Sequence, residues 1–319
     1  MGITECYEYD DLVRLNDYLI KMNFNYRELL NVSNDIPYTL DIGFMSFQPS
    51  DIKKSIYNFN EKNKSFNKPF IFSENSIFKR NDKNICSIRS NVLNNKLKDN
   101  ELINELCNTI SNIKGPISSN KEIHINVGLN ELNNDNYNLL TLLKIYLLYE
   151  HIIYRFSYGD DLSSQVSMSL YSKELSNLLY DFIKGNDITD DFNRNIDILR
   201  KKVIKKDHAL NINKKNQVFK TDSIGFKMYN SKTNIFVIQN YINLVLNLIE
   251  RIKNDDIDNS YLDDKLLNYD YNFYKTENYK DSYYSDALEF CDLIFLDDID
   301  KDYFLRQYFI KEKTKKLVI

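Results

Sequence analysis

Residues 221–253, TDSIGFKMYNSKTNIFVIQNYINLVLNLIERIK, constrain the fold more than any other stretch of the chain. Ile224, Phe226 and Met228 alternate with Gly225, Lys227 and Tyr229, the period of a strand with one apolar face. Ser231, Thr233 and Asn234 then break the alternation and offer helix caps. Beyond them Ile238, Tyr241, Ile242, Val245, Ile249 and Ile252 return at spacings of three and four. Gln239, Asn243, Asn247 and Glu250 mark a more polar side. A strand feeding a helix of this length predicts a sheet with the helix laid on its apolar face. Gly225 and Lys227 then belong to the other face.

Three more segments share the design. Over 40–47, Leu40, Ile42 and Phe44 oppose Asp41, Gly43 and Met45, and over 85–92, Cys86 and Ile88 oppose Ser87 and Arg89. Over 122–128, Ile123, Ile125 and Val127 oppose His124 and Asn126. With 223–229 these predict an α+β fold: an antiparallel sheet with helices packed on one face and small or polar residues on the other, where a ligand can sit.

Helical spacing is read over 5–30, 51–60, 99–113, 137–158, 161–184, 187–204 and 234–253, and again from Ala287 onward. The helix over 137–158 is apolar nearly all round, which predicts deep burial, with Glu150, His151 and Arg155 at its polar end and an ion pair to Arg155. Residues 74–76 (ENS) read as a turn, 208–212 as a short approach to the opening stretch, and 255–281 as an acidic, Tyr-rich surface excursion. The division expected is an N-terminal helical extension over 1–37, an α+β domain over 38–254, and a C-terminal part over 255–319 packing on that domain.

The net charge of −4 and pI near 5.6 leave no general electrostatic footprint for nucleic acid, and the run RKKVIKK over 200–206 reads as a solvated helix face. Four cysteines without CxxC spacing and three histidines predict no structural metal site. The most apolar segment, 139–156, is interrupted by Lys144, Glu150, His151 and Arg155, so no membrane partner is expected. The first ten residues are acidic and polar, without the apolar core of a signal peptide. A cytoplasmic protein with reduced thiols is the expectation.

Six short motifs occur in order: DIGFM (41–45), ENS (74–76), SIRSN (87–91), HINVG (124–128), LN (210–211) and SIGFK (223–227). In order and spacing they resemble the amidoligase family, relatives of glutamine synthetase and glutamate–cysteine ligase that are common in phages and bacterial mobile elements. The resemblance runs over about 38–310 and implies a glutamine-synthetase-like sheet. It also implies an activity in which ATP phosphorylates a carboxylate, with Mg²⁺ neutralising the phosphates, before an amine displaces the phosphate.

The departures from the family are systematic. Gly43 and Met45 stand where the family's first strand carries two glutamates, and Ser87 and Gly225 replace two more. Asn126 replaces a histidine and Lys227 an arginine, while Glu74, Ser76 and His124 keep the expected chemistry. Hard cations need oxygen ligands, which Gly and Met cannot supply. The resemblance therefore implies a catalytically impaired or inactive relative, expected to need no cofactor. His124, Asn126, Lys227, Ser87 and Arg89 would contact a small-molecule ligand or a protein partner. The alternative is an active ligase with a rearranged site of Glu74, His124 and Lys227, using Mg²⁺ and ATP.

Overall fold

The computed structural model describes residues 36–46, 48–80, 83–94, 96–113, 122–158, 177, 180–185, 188–204, 208–216, 218–230, 235–268 and 283–316. The helix expected over 5–30, the caps at 231–234 and most of 161–184 lie outside them.

Six strands form one open antiparallel sheet: β1 (Tyr38–Ser46), β2 (Ile71–Arg80), β3 (Lys83–Arg89), β4 (Glu122–Gly128), β5 (Leu210–Asn213) and β6 (Ser223–Asn230), in the order β2-β3-β1-β4-β6-β5. The four strands expected from sequence are thus the four inner ones. Their alternation sets the faces: Tyr38, Leu40, Ile42, Phe44, Ile88, Ile123, Ile125, Val127, Ile224 and Phe226 are all buried.

Helices α1 (Pro49–Lys62), α2 (Leu97–Ser111), α3 (Asn136–Tyr158), α4 (Phe192–Ile198), α5 (Ile235–Lys253), α6 (Asn259–Leu267), α7 (Tyr283–Ile294) and α8 (Asp298–Lys316) complete the described elements discussed below. Tyr146 of α3 meets Phe226 of β6 with ring centroids 5.9 Å apart, joining helix and sheet in one core. Helices α6, α7 and α8 pack on α3 in turn. Among the described residues, α5 alone is long and apolar enough to cross a membrane, and it is mostly buried within the protein.

Three local readings are corrected. Residues 74–76 do not turn: they lie within β2, where Glu74 pairs with Cys86 and the register to β3 shifts between Asn75 and Lys79. The short approach at 208–212 becomes the edge strand β5, because Leu210 and Ile212 continue the apolar face of β6. The excursion expected over 255–281 contains α6, whose N-cap Asp258 accepts from the backbone N–H groups of Ser260 and Tyr261. Leu262 and Leu266 of that helix are buried, worth about 1.5–3 kcal/mol each by area removed from water. The acidic composition hid one capped, amphipathic turn pair.

The polar groups of α3 explain how α6 and α7 dock. Lys144 Nζ lies 2.8 Å from Asp263 Oδ1 and 3.0 Å from Asn259 Oδ1, and Asn259 Nδ2 donates to Thr141 Oγ1 at 2.7 Å. His151 Nε2 sits 3.2 Å from Asp286 Oδ2, and Tyr149 donates to Glu289, which also binds Lys265. Lys265 lies over the Tyr149 ring and 3.6 Å from Asp286. The sequence reading set His151 at the polar end of the helix beside Arg155; its described partner is on α7 instead. Arg155 stacks over Tyr308 of α8 at 5.2 Å.

This cluster makes stability depend on pH. Burial holds His151 below the ordinary imidazole value, against the opposing pull of Asp286. Burial also pushes on Asp286, but its bond to His151 and the charge of Lys265 together hold its carboxyl below the usual range. Both folded values are depressed, so both contributions are present at neutral pH. The His151 part is lost as pH falls below about 6.5, and the Asp286 part only below about 4. Urea unfolding should show a lower midpoint at pH 5.5 than at 7.5. His151→Gln should flatten that difference, and an unchanged slope in the variant would show that His151 does not cause it.

Candidate functional site

The register of the four inner strands brings the expected positions onto one face. Gly43 pairs with Ser87, Asp41 with both Arg89 and His124, and Asn126 with Gly225. Directly paired residues project to the same side of a sheet, so Gly43, Ser87, Arg89, His124, Asn126 and Gly225 share the face opposite the helices. Lys227 follows Gly225 by two residues and joins them, just before the bulge that shifts the β4–β6 register between Ile123 and Ile125.

Glu74 does not join them. It pairs with Cys86, so it projects with Cys86 to the other side of the sheet, where its carboxylate accepts from Asn84 Nδ2 at 2.8 Å. Strands β3 and β1 also separate it from His124. On the site face β2 instead offers Ser73, whose hydroxyl lies 2.7 Å from that of Ser87. A site of Glu74, His124 and Lys227 together is therefore ruled out by register. Burial, with Glu74 adding to it, pushes the Cys86 thiol up to about 11, so it stays protonated at neutral pH.

Two carboxylates that sequence reasoning did not single out do lie on this face. Asp41 Oδ2 accepts from Arg89 Nε at 3.1 Å and Nη2 at 2.9 Å. Glu122 is nearly buried; it accepts from Tyr158 Oη at 3.3 Å and lies 3.6 Å from His124 Nε2. The parity of the strands was the available signal: Asp41 precedes Gly43 by two residues, and Glu122 precedes His124 by two. Tyr158 was not foreseeable, because it comes from the end of α3.

The face changes character along the strands. Met45, opposite Ile85, is only 3% exposed, so that end is filled with apolar side chains. At the other end a polar row crosses four strands through Thr39, Asn126, Gly225 and Asn211. Asn126 Nδ2 donates to Thr39 Oγ1 at 3.2 Å, and Asn213 Nδ2 donates to Asn126 Oδ1 at 3.3 Å. Between them, Arg89 and His124 stay partly open, with side chains 42% and 32% exposed.

Gly225 is the keystone of the polar row. A Cβ built there would meet Asn211 Oδ1 at 2.5 Å, Asn213 Nδ2 at 2.9 Å and Asn126 Oδ1 at 3.0 Å. Three amides converge over the missing side chain. Met45 does not fill this space; it lies on β1, beyond β4 from β6. Adding a methyl at 225 should push the amides out of their mutual bonds. Gly225→Ala is expected to destabilise by roughly 1–3 kcal/mol and lower the melting temperature. Asn211→Ser, placed in the same chain, should recover part of the loss, since the nearest obstructing atom is removed. A level or raised melt for Gly225→Ala would show that the amides yield without cost.

Among the described residues no group of three or more His, Cys, Asp or Glu side chains is placed to hold a metal ion. The chain matches no family model, no curated protein and no solved structure.

Proposed function

We propose that this chain is an amidoligase-like protein built on a glutamine-synthetase-like sheet, catalytically impaired or inactive, and kept to bind a small ligand or a partner. Binding is assigned to the face of Ser87, Arg89, His124, Asn126 and Lys227. One observation carries the reading. Both carboxylates of that face are taken up by the protein's own groups, Asp41 by Arg89 and Glu122 by Tyr158 beside His124. A ligase of this kind needs carboxylate oxygens turned toward a metal that neutralises the triphosphate. Here Gly43, Met45, Ser87 and Gly225 occupy the positions where the resemblance places such acids. Lys227 adds a cation, but as a point charge without the paired donors of an arginine.

The same groups suit recognition. Arg89, fixed by Asp41, and His124, set beside Glu122, present donors and acceptors from rigid strands and lose little freedom on binding. Isothermal titration is expected to show no Mg²⁺-dependent binding of ATP in the micromolar range. Such binding, abolished by Glu122→Gln or Asp41→Asn, would establish the ligase alternative with those two acids as its metal ligands. ATP hydrolysis stimulated by an amine would do the same.

A further inference from the structure

One edge of the sheet, that of β2, is open over a short and bounded length. The pairings settle which of its backbone groups face outward. The N–H of Ser90 donates to Leu40 O, so even-numbered residues along β3 bond toward β1 and odd-numbered ones toward β2. Ile71, Ser73 and Asn75 of β2 therefore bond to Arg89, Ser87 and Ile85. The N–H and C=O groups of Phe70, Phe72 and Glu74 then point away from the sheet.

Phe70 agrees with this parity. Its N–H donates to Asn60 Oδ1 at 2.9 Å and its C=O accepts from Asn60 Nδ2 at 2.7 Å, so a side-chain amide of α1 closes that position as a neighbouring strand would. Among the described residues no hydrogen bond reaches the outward groups of Phe72 or Glu74. Past Asn75 the register to β3 shifts, which ends the straight stretch. Ile71, Ser73 and Glu74 are exposed along this edge, and an unpaired, exposed edge is a template for another strand. The far edge of the sheet differs: Leu210, Asn211 and Ile212 of β5 are buried.

The edge is complementary to itself. Antiparallel pairing with a second copy about a two-fold axis at Ser73 sets Phe72 opposite Glu74 of the other copy, and every open group of both edges finds a partner. An axis at Phe72 would set Glu74 against Phe70, which Asn60 already occupies, and an axis at Glu74 would set Phe72 beyond the straight stretch. Ser73 then meets its own counterpart as a non-hydrogen-bonded pair, where Cα atoms come within about 4.5 Å and a small side chain fits. The charges match as well. Strands β1 and β2 both run antiparallel to β3, so α1, which links them, runs back along β2. Lys53 and Tyr57 share the side of α1 that carries Asn60, at spacings of seven and three. By helical rise Lys53 lies about 10 Å back from Asn60, and by strand rise Ser73 lies about 10 Å on from Phe70, so Lys53 stands level with the axis. Lys53 is exposed and enters no ion pair among the described residues, and Glu74 is exposed one residue from the axis. Two copies thus bring lysines and glutamates in equal number to the seam, beside the exposed Tyr57.

We infer that β2 is a dimerisation edge: two copies of this chain join their sheets antiparallel through the open groups of Phe72 and Glu74, with Lys53 of each copy facing Glu74 of the other. Because the β5 edge is covered, the pairing closes on itself and does not continue as a filament. This inference does not rest on the binding role given to the sheet face.

Ser73→Cys tests the register in the full chain. Cα atoms about 4.5 Å apart are within disulfide reach, so mild oxidation should give a covalent dimer on non-reducing electrophoresis that the unsubstituted chain does not give. Ile71→Cys should not crosslink, since its counterparts would lie about 14 Å apart. Without oxidation, sedimentation velocity should show a monomer–dimer equilibrium in the micromolar range. Glu74→Pro removes an outward donor while sparing the ladder to β3, and should weaken the dimer at least about tenfold with the far-UV spectrum unchanged. Glu74→Lys and Lys53→Glu should each weaken it about fivefold, and the two together should return it to within about twofold of the original. A chain that stays monomeric at millimolar concentration would overturn the inference. So would equal crosslinking at 71 and 73, a dimer indifferent to the Glu74 and Lys53 variants, or one that dissociates instead on Leu296→Ser, an exposed apolar residue between α7 and α8.

Discussion

The rest of the structure depends on α3 being buried on every side. A helix in the interior must place each polar side chain against a partner, since an unpaired buried polar group costs about 1–3 kcal/mol. Helix α3 does this by sorting its residues around the axis. Thr141, Lys144, His151 and Arg155 fall within one face at helical spacing, and their described contacts go to Asn259, Asp263, Asp286 and Tyr308 of α6, α7 and α8. Tyr146 lies nearly opposite, on Phe226 of the sheet. These four polar residues of the helix thus face the outer helices, while Glu150, one turn on from Tyr146, is fully buried on the other side. Of the charges that argue against a membrane span, Lys144, His151 and Arg155 dock the C-terminal helices.

That arrangement explains what was legible in the sequence. Alternation in β1, β3, β4 and β6 names the buried residues directly, because a strand has only two faces and one is covered. The length and apolarity of α3 and α5 were equally plain. Three features were hidden, each for its own reason. The turn assigned to 74–76 rested on composition, Glu-Asn-Ser, whereas pairing with β3 carries the strand through it. The strand β5 has four residues, too few to show a period. Helix α6 sits in acidic, Tyr-rich sequence, and only its Asp258 cap and the Leu262–Leu266 spacing mark it.

The candidate site was legible as a list of positions but not as chemistry. Gly43, Ser87, His124 and Lys227 reach one face because of register, which alternation predicts. Which groups are bound to which depends on cross-strand neighbours and on helix ends. Asp41 meets Arg89 across the β1–β3 pair, and Glu122 meets a tyrosine from the far end of α3. The run over 200–206 reads as an ordinary solvated face in sequence, and only the structure shows Asp222 joining its Arg200 to the β5–β6 connection.

The asparagine row at Gly225 shows why the exchanged residues on this face act as a unit. A carboxylate at 225 would need space and either a cation or solvent, and three amides occupy that space. An amide carries a donor and an acceptor at once, so Asn126 can give to Thr39 while taking from Asn213 without a net charge or a metal. The arrangement requires a residue without a side chain at its centre. Restoring an acid at position 225 alone would therefore not rebuild a metal site: it would collide with Asn211 and Asn213 and break the bond between Asn213 and Asn126. Glycine and the asparagines are mutually dependent, and any return to ligand chemistry on this face would have to change them together.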